Sequence, residues 1–403
     1  MFDKNVHIIS KKKFTEDEKI SLAILSPFFI LSLQYITLVF FNLIGSSYAS
    51  VFQMIMKALV GLIYVFVLPT VFKRNKLILI FTYLCVSFVF LLHYTLFAEN
   101  RSYMVELIFP LFFMCLPAFI YTLSLRDFGV FWESLKRISY GVFGISLFLG
   151  LILISKFRDI GPYSMTLSYY VLLPALVYLD ESITKFSVIK FINFIISLLI
   201  IISLGSRGAI MCIVVFAILK LLKFRSNRTF KKLLSTYTLL CMTIVLLLNY
   251  KKFLHFLNEI LLRLNIQSRT VSLFLRDEVH LSGRNELFKQ TISAIAENPI
   301  FGIGIGGDRV ILNGIYVHNI FLEILSNYGI VIGGFFIILL LLVIVKSLVS
   351  NNLKNYDLTI FWISFGFVHL IVSGSYLIDI RFWIFIGLLI NFTFKRSTKL
   401  FEY

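Results

Sequence analysis

The chain has 403 residues, 59% of them apolar and only 15% charged, with a formal net charge of +17. Soluble globular chains carry about 45–50% apolar and about 25% charged residues, so this balance excludes a soluble domain. The positive charge falls in short segments between apolar runs, as in the cytoplasmic loops of membrane proteins, so no nucleic-acid partner is expected.

A helix needs about 20 mostly apolar residues to cross the hydrocarbon core, because backbone amides find no water there. On that criterion the sequence predicts an all-α, polytopic transmembrane helix bundle of about twelve spans. They are placed at 21–44, 49–71, 77–97, 104–123, 138–155, 163–179, 188–205, 208–222, 233–249, 319–346, 358–376 and 380–394. Lys11, Lys12 and Lys13 precede the first span and no small-residue cleavage site follows it, so it reads as a retained helix.

With the N-terminus inside, the cytoplasmic segments hold Lys73, Arg74 and Lys76, then Arg126, Lys136 and Arg137, then Lys223, Arg225, Arg228, Lys231 and Lys232, and last Lys395, Arg396 and Lys399. The short outer turns hold almost none, which puts both termini in the cytoplasm. Cys85, Cys115, Cys212 and Cys241 lie in or beside spans without paired spacing, and read as buried thiols filling helix contacts, not as a disulfide framework or a metal site.

Four regions follow: N-terminal helices over 1–187, helices carrying a Ser206-Arg207 turn over 188–249, a long external loop over 250–318, and C-terminal helices over 319–403. Connections beyond about 12–15 residues are usually functional or disordered, and the long loop lacks the composition of disorder. Phe253, Phe256, Leu257, Ile260, Leu261 and Leu264 recur at helical spacing, as do Phe288, Ile292 and Ile295, so two amphipathic helices lying on the membrane surface are expected.

Four groups of residues bear on chemistry. Gly205-Ser206-Arg207-Gly208 fills the tight turn between two apolar runs, where Arg207 reads either as a snorkelling side chain or as a fork of donors for an anionic head group. Ser282-Gly283-Arg284-Asn285 opens the second loop helix, which also suits a solvated helix start. Asn298 and Pro299 stop that helix and lead into Gly302, Gly304, Gly306 and Gly307. The glycine spacing imitates a dinucleotide fingerprint but lacks the βαβ unit that fingerprint needs, which leaves a turn open to positive φ and close backbone approach.

Last comes Val317-His318-Asn319, at the start of a long apolar helix carrying Glu323, Asn327, Gly329, Gly333 and Gly334. A lone histidine there is commonly a structural hydrogen bonder. A helix N-terminus, however, favours the neutral imidazole, which can accept a proton.

In this order, Ser206-Arg207, Gly283-Arg284, Asn298-Pro299 with Gly302 and Gly304, and His318-Asn319 followed by Gly329 resemble the bacterial O-antigen polymerase and O-antigen ligase family, over about residues 188–345. The resemblance implies a membrane glycosyltransferase of the cytoplasmic (inner) membrane that moves a glycan from undecaprenyl diphosphate to a sugar hydroxyl on the outer face, without cofactor or metal. It gives Arg207, Arg284 and His318 catalytic roles, with Arg158, Asn319, Gly302 and Gly304 in substrate binding; Arg158 with Gly161 is a degraded counterpart of an outer-loop pair. It also implies membrane lipids as partners, and a chain-length regulator and a flippase of the same pathway.

Within the family, Asn298 to Gly307 resembles polymerases more than ligases. From another class, a flippase for the same lipid-linked sugar fits twelve spans with both ends inside. The lopsided loop and the absence of repeat symmetry weigh against it. A channel is disfavoured because few charges, Lys57 and Glu323 among them, fall within the spans.

Overall fold

The computed structural model describes residues 14–155, 165–223, 250–263, 271, 275, 283–349 and 353–394. The expected span at 233–249, together with Cys241, Arg158 and Gly161, lies outside the described residues. The described secondary structure is helical throughout, and five helices are long and apolar enough to cross a membrane.

Helix α1 (Glu16–Phe40) starts on a capping box, Thr15 accepting from the Glu18 amide while Glu18 reaches back to the Thr15 amide. Helix α2 (Ser47–Leu96) carries two expected spans, joined with no loop at Asn75, whose backbone is non-helical (φ −146°, ψ 42°). The Asn75 amide donates to the Leu123 carbonyl and to Ser124 Oγ at 3.2 and 3.0 Å. Beside it Arg74 pairs with Asp17 at 2.9 Å, so the ends of three helices expected on the cytoplasmic side are clamped together.

Helices α3 (Arg101–Pro110) and α4 (Leu116–Leu123) run on through a π turn at 111–115 as one crossing. Then come α5 (Phe128–Ser155), α6 (Met165–Thr184), α7 (Val188–Ser203) and α8 (Arg207–Lys223). The long loop supplies the two expected helices, α9 (Tyr250–Arg263) and α10 (Arg284–Glu297), and a short α11 (Gly307–Ile311). Cys115 and Cys212 are buried as expected, whereas Cys85 is exposed: it lies on α2, which buries little of its surface against the bundle.

Two expected spans prove to be broken. Helix α12 (Ile320–Val349) kinks at Gly329 (φ 77°, ψ 176°) so sharply that the Ile324 carbonyl comes up against Gly333. The run at 358–376 is helical only as α13 (Leu353–Trp362), then passes through a π turn at 363–367 and a 3₁₀ turn at 368–371, and unwinds before α14 (Ile380–Phe394). Hydropathy alone does not register such breaks, because the side chains around them stay apolar on average.

Candidate functional site

The glycine turn is pressed onto the kink of α12. A Cβ on Gly302 (φ +67°) would stand 2.3 Å from the Ser326 carbonyl oxygen, and one on Gly329 2.2 Å from that of Ile300. Only glycine fits at either position, and both adopt backbone conformations that other residues avoid. Backbone bonds from Ile303 N–H to Ser326 (2.7 Å) and from Ile330 N–H to Pro299 (2.6 Å) lock the two strands of chain together. At Gly304 the place of a side chain is taken by the Phe97 ring, 2.5 Å away. The close approach expected of these glycines is therefore made to the protein's own backbone and rings. His93 Nδ1 and the Asn100 amide hold the turn further, at Ile305 N–H (3.0 Å) and the Ile303 carbonyl (2.8 Å).

Asn319 caps α12: its side-chain oxygen accepts from the Phe321 and Leu322 amides (3.0 and 3.1 Å), and its amide donates to the Ile371 carbonyl (3.1 Å) at the end of the 3₁₀ turn. His318, just before the cap, holds a left-handed backbone (φ 57°), sparsely populated for residues other than glycine. Its ring lies 4.2 Å from that of Tyr316, and its Nδ1 is buried without a partner among the described residues. Burial, and then the neighbouring Arg284 guanidinium, push the imidazole down to about 4, so it is neutral near pH 7 and has a lone pair free to take a proton.

Beneath His318 sits an ionic cluster that the sequence reading did not find. Asp308 is fully buried; it accepts from the Val317 amide at 3.2 Å and pairs with Arg309 at 3.0 Å. Burial pushes the Asp308 carboxyl up despite that partner. Arg309 continues to Ser375 Oγ (3.1 Å) and Glu323 (3.6 Å), and Glu323 accepts from Ser375 Oγ and from the Tyr376 amide (3.1 Å). This chain of bonds runs from the loop through α12 to the unwound segment and fixes the backbone that presents His318. Glu323 was visible in sequence as a charge inside an apolar run; Asp308 and Arg309 carried no such signal.

The unwound segment forms one wall of a cavity of about 390 Å³, closed by α1 and α6. On this wall His369 Nε2 meets Asp379 at 2.7 Å, and Arg381 grips the same carboxylate with two nitrogens at 3.0 and 2.5 Å. Burial would raise the Asp379 carboxyl, but Arg381 and His369 outweigh it and hold the group below its ordinary range. The Arg381 guanidinium also lies over the Tyr169 and Phe365 rings, at 5.1 and 5.6 Å.

Arg207 is the first residue of α8, after the left-handed Gly205 and the buried Ser206. Its neighbour Gly208 abuts the Tyr169 hydroxyl, 2.2 Å from where a Cβ would stand. Arg207 thus opens a helix whose next residue abuts the cavity-lining Tyr169, and Arg284 is near enough to His318 and Tyr316 to act on both electrostatically.

Residues 192–339 match the family described as O-antigen ligase. Over this stretch the chain is similar to that family. No curated protein and no solved structure matches the chain. The O-antigen ligase match takes in Arg207, Arg284, Gly302, Gly304, His318 and Asn319, and stops short of His369, Asp379 and Arg381.

Proposed function

We propose that the protein is a polymerase of O-antigen or another surface polysaccharide, joining undecaprenyl-diphosphate-linked repeat units at the outer face of the cytoplasmic membrane. One observation carries the reading: within the O-antigen ligase match, a neutral, half-buried imidazole stands beside an arginine at a rigidly held helix start.

In the reaction, an acceptor hydroxyl oxygen attacks the anomeric carbon and the bond from that carbon to the diphosphate oxygen breaks. The electron pair leaves on the diphosphate, and His318 takes the hydroxyl proton. General-base help of this kind is worth about 10²–10⁴-fold. Arg284 and Arg207 stabilise the charge that develops on the diphosphate, Arg207 aided by the positive end of the seventeen-residue helix it opens. Arg158 is proposed as a further donor to the same lipid head group. Asn319, Gly302 and Gly304 serve substrate binding by shaping the backbone around His318.

A second reading, ligase, is favoured by the description of the matched family and differs only in the acceptor, lipid A core in place of another repeat unit. Reconstituted protein given radiolabelled lipid-linked repeat units and no lipid A should yield a ladder of carrier-linked chains. Label moving only onto added core lipid A turns the assignment to ligase, and label crossing the bilayer unlengthened turns it to flippase.

A further inference from the structure

A second cavity, of about 370 Å³, lies between the two arms of α2, either side of the Asn75 kink, and the crossing formed by α3 and α4. It shares no lining residue with the cavity beside Tyr316. Tyr83 donates its hydroxyl to the Phe112 carbonyl of the π turn at 2.8 Å, Tyr121 donates to the Tyr64 carbonyl, and Tyr64 buries its own hydroxyl. What lines the cleft is therefore aromatic rings and aliphatic side chains, with one exception.

That exception is Lys57, the single charged residue of the lining among the described residues. It stands about 27 Å along α2 from the kink at Asn75, near the opposite edge of a hydrocarbon core about 30 Å thick. With Asn75 on the expected cytoplasmic side, this is the outer edge. A lysine at that depth lays its stem along apolar surface and lifts its ammonium to the head groups. Lys57 forms no ion pair among the described residues, and neither does Glu106, one turn from the cavity-lining Phe109. An ionisable side chain inside a span calls for a partner, and here the protein supplies none.

The dimensions of the cleft indicate the partner. From Lys57 to Leu68 the lining runs about 16 Å down one arm of α2, the depth of one leaflet of the core. Midway, Gly61 leaves the wall open, since a Cβ there would meet nothing within 4 Å. We infer that the cleft holds an anionic phospholipid of the outer leaflet, one acyl chain lying past Gly61 toward Leu68 and its phosphate paired with Lys57. One ammonium balances the single charge of a phosphodiester, whereas a diphosphate would keep most of its charge unmatched. The site is independent of the proposed transfer reaction: neither Arg207, Arg284 nor His318 lines it.

The test titrates phosphatidylglycerol into full-length protein stripped of lipid in detergent, and follows bound lipid by native mass spectrometry. The first phosphatidylglycerol should bind at least tenfold more tightly than phosphatidylcholine, and at least tenfold more tightly than dihexanoyl phosphatidylglycerol, which has the same head group on short chains. Lys57→Gln should weaken it tenfold or more, as loss of a charge-assisted bond predicts. Gly61→Leu, whose side chain fills the cleft, should abolish it. Leucine favours the helix and its Cβ meets no atom, so the Gly61→Leu melting temperature should stay at or above wild type, which separates lost binding from lost structure.

Phosphatidylglycerol affinity within twofold of wild type in either variant, or equal to that of phosphatidylcholine or of the short-chain lipid, overturns the inference. So does tighter first-site binding of undecaprenyl phosphate than of phosphatidylglycerol, which would make the cleft a berth for the carrier.

Discussion

His318 illustrates how a residue's environment sets its use. An exposed histidine titrates near 6.5, so its capacity as a base fades in mild acid. Burial and Arg284 depress this one to about 4, and the neutral form persists well below pH 6. We therefore expect the acid limb of kcat/KM, which reports the free enzyme, to lie near pH 4–5, and that of kcat to lie higher, because a bound diphosphate beside the imidazole favours its protonation. Arg284→Gln removes the repelling charge and should move the kcat/KM limb toward higher pH while lowering kcat. A limb that stays in place would show that the arginine does not reach the histidine. At this scale much of the site was readable in sequence: Arg284, His318 and Asn319 stood out as polar residues at helix starts. His369, Asp379 and Arg381 did not, since one histidine inside a long apolar run and two charges just past its end look like an ordinary span boundary.

Among the elements, helices were legible and their interruptions were not. Periodicity located both loop helices because an amphipathic helix repeats every 3.6 residues, but the kink at Gly329 depends on a contact with Gly302, twenty-seven positions earlier. The two helix glycines Gly329 and Gly334 should respond differently to the same change. Gly329→Ala places a Cβ against the Ile300 carbonyl in a backbone region that costs about 1–3 kcal/mol, so a lowered melting temperature in detergent and loss of transfer are expected. Gly334→Ala meets nothing within 4 Å and gains helix propensity of up to about 1 kcal/mol, so it should melt at or above wild type. Equal behaviour of the two would show that the glycine turn is not docked on the kink. Asp308→Asn should cost about 3–5 kcal/mol, because it leaves Arg309 short of a partner where water cannot reach, and a thermal melt would register the loss.

Across the whole molecule, the packing is tied at its ends by long-range polar links that sequence does not announce. Lys220 on α8 lies between Asp180 on α6 (2.7 Å) and Asp357 on α13 (2.8 Å), and is itself buried. Lys220→Met should destabilise the fold by setting two carboxylates against each other, and Asp180→Leu in the same chain should restore part of the loss. Additive losses would refute a coupled triad. The Asn391 amide likewise joins α14 to the Thr122 carbonyl of α4 at 3.1 Å. Composition sufficed to announce a membrane bundle, whereas links between residues more than a hundred positions apart depend on which helices are neighbours, which hydropathy does not encode.

The loopless turn in α2 has a consequence in time. The chain kinks at Asn75, but the carbonyl and hydroxyl that receive the Asn75 amide belong to Leu123 and Ser124, about fifty residues further on. During synthesis the two arms therefore leave the ribosome before the groups that fix their angle exist. Until α4 is made, the kink at Asn75 lacks the partners that hold it in the finished fold.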